Sequence, residues 1–543
     1  RKEGYMNFFN RAIKNVTRKA SKSILLVLTF LLVGTLVIVG LGVSNAAGQA
    51  KILTRQKMRA VATMQVDYQA YYNYVESLED EDEINKAYKN YPSVTLGEVK
   101  DILKDSRVKT ANAMNNGQAY GDGVLDYVHL NNDAESNMGG GTSCYYDADG
   151  TEHCEEYQEP SYFIKANYFP NMIEFEDGDY KVVEGSFYTQ EDIDKSNKVC
   201  LISKALAEQN GLKVGDTFTY YAISKTDVKM YSSQGIDLTE SDYLVELKII
   251  GIYEHNKPIT PDSPNYKWTS PYENPDNMIL MPGTTLSNIT LPLNQKSFDY
   301  YASQNPDDEY YKDPSNRPQA DDTSKVQLGT VTLLLNDPLE VDKFVEDYKD
   351  TLGDYKKISV DNEEFNKLSK PLDTLSIYAS FIVWLVVINA VVIITLITAL
   401  TLKTREYEIG VLLSIGASKF KVVAQFFVEL ALVALLGFTL SIGTGSLIAN
   451  KVGQTVLEYQ ITSSGVNEEN DDDNFYNYDS IWNDNYNSDV TLEDLVSNYN
   501  VSISPVIIAE IYVVGLAIVL VSILIPSMMI MRFNPKKILM NQN

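Results

Sequence analysis

The 543-residue sequence carries 46 Lys and Arg against 73 Asp and Glu, a formal charge of −27; so acidic a chain repels nucleic-acid phosphates, which excludes nucleic acid as a partner. Its mean hydropathy of −0.18 conceals four apolar runs, 23–45, 371–402, 422–450 and 505–531, each long enough for the roughly 30 Å hydrocarbon core of a bilayer, which excludes a soluble chain. The expected fold class is a membrane protein of four transmembrane helices, with a large α+β extracytoplasmic domain between the first two.

Residues 1–22 carry Arg1, Lys2, Arg11, Lys14, Arg18, Lys19 and Lys22 against Glu3 alone. Phe8, Phe9, Ala12, Ile13 and Val16 can share one face, as in a helix lying in the membrane interface. A signal peptide is the competing reading of 1–47, since Ser44-Asn-Ala-Ala47 imitates a cleavage site. Against it stand an apolar run longer than a usual signal core and the loss of parity that cleavage would cause. Basic residues recur at 403–421 and in the tail 532–543, so the three segments share a side, the cytoplasmic one. Past the first span, the register continues without a strong breaker toward Tyr88 and predicts an outward stalk helix.

The exterior segment is 46–370. Its part from 90 to 160 is rich in turn signals such as Asn115-Asn-Gly117. Cys144 and Cys154 flank Asp149-Gly150, a tight-turn signal that lets the flanks pair as a hairpin and the sulfurs meet. Outside a cell such a pair is normally oxidised; a metal site using His153 is the alternative, short of a fourth ligand. Cys200 reads as a buried strand residue. From Val183-Glu-Gly185 through Ala205–Phe218, with Gly211 and Gly215-Asp216, to Leu247-Lys-Ile-Ile-Gly251, the order of strand, short helix, Gly-Asp turn and strand resembles the exterior domain of MacB-like permeases. Residues 256–324 read as loop or insertion. The run Val326–Leu335, the helix capped by Asp337 and Pro338, and Ile358-Ser-Val360 predict a small α/β sandwich; the resemblance implies a porter domain there. Pro371 kinks or restarts a second stalk helix ahead of the second span, in which Asn389 is suited to an interhelical hydrogen bond.

Between the second and third spans lies the stretch on which the chain turns, 403–421. Tyr407, Val411, Leu412 and Ile415 can share a helical face, and Gly410 and Gly416 mark close approach or a helix stop. Arg405, Glu408, Ile409, Gly410, Leu412, Ile415, Gly416, Ala417 and Ser418, in this order, resemble the cytoplasmic coupling helix of FtsX-like permeases, the membrane subunits of MacB-type ABC transporters. In that family the link docks on an ATPase; a plain amphipathic surface helix is the alternative. Glu429, inside the third span, must face protein or water; a Glu there also resembles the family, and a structural or coupling role is weighed against proton transport. Gly437, Gly443 and Gly445 offer a smooth packing surface, within the subunit or across a dimer. The loop 451–504, acidic from Glu468, departs from the short link usual in four-span FtsX-like proteins; it reads as solvated, with cation binding or an exterior partner as alternatives, and it lacks the Gly and closing Glu of a calcium loop. Pro526 and Asn534-Pro535 again resemble the family's carboxyl terminus, and Glu510 can reach water.

No Gly-x-x-x-x-Gly-Lys-Ser/Thr occurs, and no catalytic or metal constellation is evident around His129, His153 or His255. The expectation is a non-catalytic permease subunit in a bacterial cell membrane, both termini cytoplasmic, with no metal and no cofactor in this chain. The resemblance implies that ATP and Mg bind a separate cytoplasmic ABC ATPase dimer. It also implies a second permease copy or related permease, and allows a membrane fusion-type protein. Export of peptide, antibiotic or lipid-linked cargo is the leading expectation; the alternatives are an FtsX-type regulator of an exterior cell-wall hydrolase and a membrane-anchored receptor.

Overall fold

The computed structural model describes residues 8–18, 20–121, 123–136, 141–146, 149–156, 158–256, 258–263, 266–320, 326–360, 363–463, 496 and 499–532. Residues 1–7, the acidic run from Glu468 and the tail with Asn534, Pro535, Lys536 and Lys537 lie outside them. The chain divides into a membrane unit, built on Arg1–Met58, Asn362–Asp472 and Ser488–Asn543, and a second unit mainly of Arg59–Asp361.

Among its described residues the membrane unit has the helix expected from the sequence to be interfacial, Phe8–Arg18, and a short helix, Glu406–Ser414. Four helices are long and apolar enough to cross a bilayer: Ala20–Lys57, Glu363–Thr404, Lys419–Ser463 and Pro505–Arg532, here the first to fourth spans. Their common core includes Phe30, Ile38, Val433, Phe438, Ile511 and Val519. In lipid, apolar burial alone does not favour helix against helix, so close backbone approach matters most. Gly437 lies under Phe30 and Gly445 under Ile38, each with room for no Cβ, while Gly34 receives Ser441 and Phe438. The Phe30 and Phe438 rings meet edge to face, centroids 5.5 Å apart. The glycine surface is thus divided: Gly437 and Gly445 serve the subunit's own packing, and Gly443 has nothing within 4 Å. Asn389 donates to the Leu385 carbonyl of its own helix, at 2.8 Å, rather than across to another.

Beyond the apolar core, the first span continues as far as Lys57 and the second begins at Glu363, running through Pro371 without a break. Lys51 pairs with Asp373 at 2.8 Å and the Arg55 guanidinium lies over Phe365. Two expectations fail here. The first helix does not run on toward Tyr88; it stops before Val61–Val66, where Ala62, Met64 and Val66 alternate into a core and form a strand. The segment from 451 is not loop from its start: the third span stays helical to Ser463, because Leu457 and Ile461, at i and i+4, pack with Ala46, Ala50, Leu368 and Leu372. Among the described residues the stalk therefore holds three helices.

The second unit contains β1 (Val61–Val66), β2 (Val94–Thr95), β3 (Val108–Ala119), β4 (Thr142–Tyr146), β5 (Glu152–Glu156), β6 (Tyr162–Asn167), β7 (Tyr180–Gly185), β8 (Val199–Ser203), β9 (Thr217–Tyr221), β10 (Leu244–His255), β11 (Met278–Pro282), β12 (Gln327–Leu328), β13 (Thr330–Leu335) and β14 (Lys356–Ser359). Its main sheet runs β14-β1-β13-β3-β6-β11-β8-β10-β7, with β9 also on β10. β3 is shared by two lobes. Its first half pairs with β13 over a core of Ala111, Leu333, Val341 and Phe344, and its second half pairs with β6 beside a core of Ile164, Cys200, Phe218 and Ile249. Burial pushes the Cys200 thiol well above its ordinary pKa, leaving an inert packing residue.

The glycines of the Gly-Asp segment have identifiable tasks. Gly211, at φ +66°, ends the helix Lys204–Asn210, and Asp216 accepts from the Lys213 amide to hold the following turn. At Gly185, φ +76°, a Cβ would lie 2.1 Å from the Ile250 carbonyl, and at Gly251 one would lie 2.5 Å from that of Ser186. Asn115-Asn-Gly117 is not a turn; it lies inside β3, paired with Ala166 to Ile164. Nor is 256–324 only loop. It supplies β11, buried throughout between β6 and β8, and the helix Gly283–Gln304. Cys144 and Cys154 are bonded across the β4–β5 hairpin, and His153 stacks on Tyr145.

Arg107 links Asp105 (2.7 Å) to Asp347 (2.6 Å) and so fastens the start of β3 to the helix Val341–Tyr348. Its hydrogen bond to Asp105 holds that carboxyl down at about 2. A depressed carboxylate contributes stability above its unfolded pKa, about 3.9, and the contribution is lost as pH falls from there through about 2. Melting of the purified chain should therefore drop more steeply between about pH 4 and 2 for the wild type than for Asp105→Asn; parallel curves would contradict this.

Candidate functional site

The link between the second and third spans is made by a stop, a short helix and a restart. The second span ends at Thr404, whose hydroxyl donates to the Thr401 carbonyl. Arg405 leaves helical geometry at φ −112°, ψ 15°, and Glu406 and Glu408 occupy the first turn of the helix Glu406–Ser414, where acids favour the positive end of its dipole. At the other end the Gly416 amide donates to the Leu413 carbonyl and that of Ala417 to Leu412, with Gly416 at φ +94°. This is a Schellman stop, which needs a residue that tolerates a left-handed backbone. Ser418 then caps the third span: its hydroxyl accepts from Lys421 and its carbonyl from Val422. Ile415-Gly416-Ala417-Ser418 is therefore a hinge of fixed geometry between two helices.

Arg405 turns inward. Its Nη1 donates to Glu429 Oε2 at 2.8 Å and its Nε to Glu408 Oε2 at 2.9 Å, with the guanidinium 4.7 Å from the Phe426 ring centroid. The second Glu429 oxygen accepts from Asn15 of the interfacial helix (2.9 Å) and Gln425 (3.0 Å). The Arg405 and Glu429 side chains are only 8% and 13% exposed, so this is a desolvated pair with both carboxylate oxygens used. Leu402, Ile409, Val422 and Phe426 pack beneath it, with Leu413 and Ala417 at the edge. One carboxylate thus binds the interfacial helix, the link and the third span into a single body.

The motif residues divide by direction. Arg405, Ile409 and Gly410 are buried, Leu412 is half-buried, and Glu408, Ile415, Gly416 and Ser418 are exposed. Tyr407 (52%), Ile415 (72%) and Phe420 (80%) present an apolar surface outward, beside exposed Lys403 and Lys421. Of the face expected from periodicity, Tyr407 and Ile415 are open, whereas Val411 and Leu412 are half-covered. Asn15, Gln425 and Phe426 escaped the sequence reading, which singled out none of them; Gln425, at i−4 from Glu429, was the one available signal. His129, His153 and His255 occupy a connecting segment, β5 and the end of β10, and the metal-like grouping of Cys144, Glu152 and Cys154 has its sulfurs tied to each other.

Four apolar spans, an α+β unit inserted between the first two and a rigid charged link between the second and third define an integral membrane subunit of the permease kind. Residues 24–347 match the MacB-like periplasmic core domain and residues 380–535 the FtsX-like permease C-terminal domain. Over 447 residues the chain is 24% identical to the "Uncharacterized ABC transporter permease YclI" of Bacillus subtilis (strain 168), covering 82% of this chain and 80% of that one. The crystallised periplasmic region of MacB from Actinobacillus actinomycetemcomitans aligns with 56% of this chain and 90% of its own, at 8% identity and a TM-score of 0.23, too low to bear on the fold. The chain belongs to the FtsX/MacB-type permeases, subunits of ABC transporters that are generally non-catalytic, and the class implies a partner ATPase.

Proposed function

We propose that this permease converts nucleotide-driven movement of a separate cytoplasmic ABC ATPase dimer into movement of its extracytoplasmic domain, by mechanical transmission rather than by a route through the spans. The observation that carries the proposal is the clamped link: its inner face is locked by Arg405 and Glu429, while Tyr407 and Ile415 face outward. A helix free to roll would dissipate a push; one bonded to the third span and to the interfacial helix passes it on. The basic residues around the link support a reading in which it lies on the cytoplasmic side with both termini, in a bacterial cell membrane. ATP and Mg belong to the partner, two permease copies or a related pair engage its two subunits, and a membrane fusion-type protein is a further partner. The cargo class is peptide, antibiotic or lipid-linked material, exported.

Tyr407→Asp and Ile415→Asp test this without disturbing the core, since both side chains are exposed. Each should lower permease-stimulated ATP turnover by about tenfold or more, the loss expected of a central contact, at unchanged melting temperature. Unaltered turnover in both variants would remove the link as the docking element.

A further inference from the structure

β3 is covered unevenly along its length. On one edge, residues 108–113 pair with β13, and at the far end Tyr120 and Tyr221 exchange both backbone hydrogen bonds at 2.9 Å. Between these points, residues 114–119 pair with β6 on the opposite edge, and among the described residues no strand lies on the other side. In an antiparallel ladder successive residues turn their backbone groups to alternate neighbours. Ala113 and Ala119 accept from Tyr168 and Ser161, on the β6 side, whereas Tyr120 bonds Tyr221 on the other. With no shift in the β6 register, Met114, Asn116 and Gln118 therefore point their N–H and C=O groups away from β6. Open edges are normally blunted by Lys, Pro or a bulge; Met114-Asn-Asn-Gly-Gln-Ala119 has none of these. A cavity of about 410 Å³ adjoins this edge. It is lined by residues 115–118 of β3, by Ile223 and Asp227 just past β9, and by Leu286 and Ile289 of the helix Gly283–Gln304. No Lys or Arg is among its lining residues, so an anionic ligand has no cation to hold it. Unmatched backbone groups beside a slot with apolar walls suit an extended peptide, bound main chain to main chain.

We propose that an extended, uncharged segment of an extracytoplasmic partner protein adds as a strand to residues 114–118 of β3, with an apolar side chain against Ile223 and Ile289. Both lobes are built on β3, so a strand added there braces their junction, which suits a lasting partner better than a cargo that must leave. The site is independent of how the link engages an ATPase. Hydrogen exchange of the full purified chain, read amide by amide, tests it. In the free chain the Asn116 and Gln118 amides should exchange about tenfold or more faster than those of Asn115 and Gly117, which β6 holds. Acetyl-Thr-Val-Thr-Val-Thr-amide at millimolar concentration should slow Asn116 and Gln118 by about tenfold or more. Its fully N-methylated analogue, which cannot donate, should leave them unchanged. Equal exchange at all four positions in the free chain, no slowing by the peptide, or equal slowing by both peptides overturns the proposal. Gln118→Pro deletes one outward N–H while sparing the β6 ladder, and should remove most of the peptide's effect at Asn116; an undiminished effect refutes the site. Should Gln118→Pro not fold, the two peptides on the wild type decide.

Discussion

Glu429→Leu should abolish stimulated ATP turnover and lower the melting temperature of the purified permease, the largest loss expected from any single side chain of the link. Among the described residues Arg405 would remain buried with Glu408, itself half in solvent, as its counter-ion, and Asn15 and Gln425 would lose their acceptor. Removing one partner of a buried pair costs about 3–5 kcal/mol, chiefly because the survivor stays charged and unsolvated. Arg405→Met should be comparably damaging. The double variant Glu429→Leu with Arg405→Met should melt above either single one, since no charge is then stranded, yet remain uncoupled, because the interfacial helix and the link are no longer joined through a common group. A double variant as unstable as the sum of the two would show that the pair does not interact. A proton-carrying role makes a different prediction: Glu429→Gln would be as inactive as Glu429→Leu, and Arg405 would be irrelevant to its defect.

The second large effect concerns the packing of the first span on the third. In Gly437→Leu the added Cβ would stand 2.5 Å from Phe30 Cβ and 3.1 Å from the Leu31 nitrogen and the Val27 carbonyl oxygen. Two of these are backbone atoms and cannot turn aside, so the helices must separate; overpacking of this kind costs about 1–3 kcal/mol or more. Gly437→Leu should accumulate poorly in membranes and melt several degrees lower. Gly443→Leu, with nothing within 4 Å, should be neutral to the fold of the single chain. If Gly443→Leu instead leaves melting intact but disperses a dimer on a sizing column, the same row of glycines serves two partners.

The contrast between these glycines shows what was legible before the structure. Spacing alone makes Gly437, Gly443 and Gly445 equivalent; only the position of Phe30 and Ile38 on another helix separates them. The spans and the link were readable because lipid imposes length and apolarity on a segment whatever its neighbours do. Gly211 and Gly416 were readable as stops because a left-handed backbone is a local demand. The failures have the opposite character. Met278–Pro282 is five residues of buried strand with no alternation, since both of its faces are covered, and it sits amid Pro, Asn and Asp that mimic a loop. Asn115-Asn-Gly117 has the composition of a turn and is held extended by its partner β6. The contact of Asn15 with Glu429 joins residues 414 apart in sequence, and no local pattern encodes it.

The central claim, that the exposed face of Glu406–Ser414 is where the motor pushes, is tested most directly by site-specific crosslinking of the assembled transporter. Cysteines placed at Ile415 and Tyr407, both exposed, would be compared with one at Leu447, 82% exposed on the third span. The account predicts ATPase adducts at Ile415 and Tyr407, changing in yield between nucleotide-free and nucleotide-trapped states, and none at Leu447. Adducts absent from both link positions while the ATPase remains bound, or labelling of Ile415 by an impermeant reagent from outside intact cells, would contradict it.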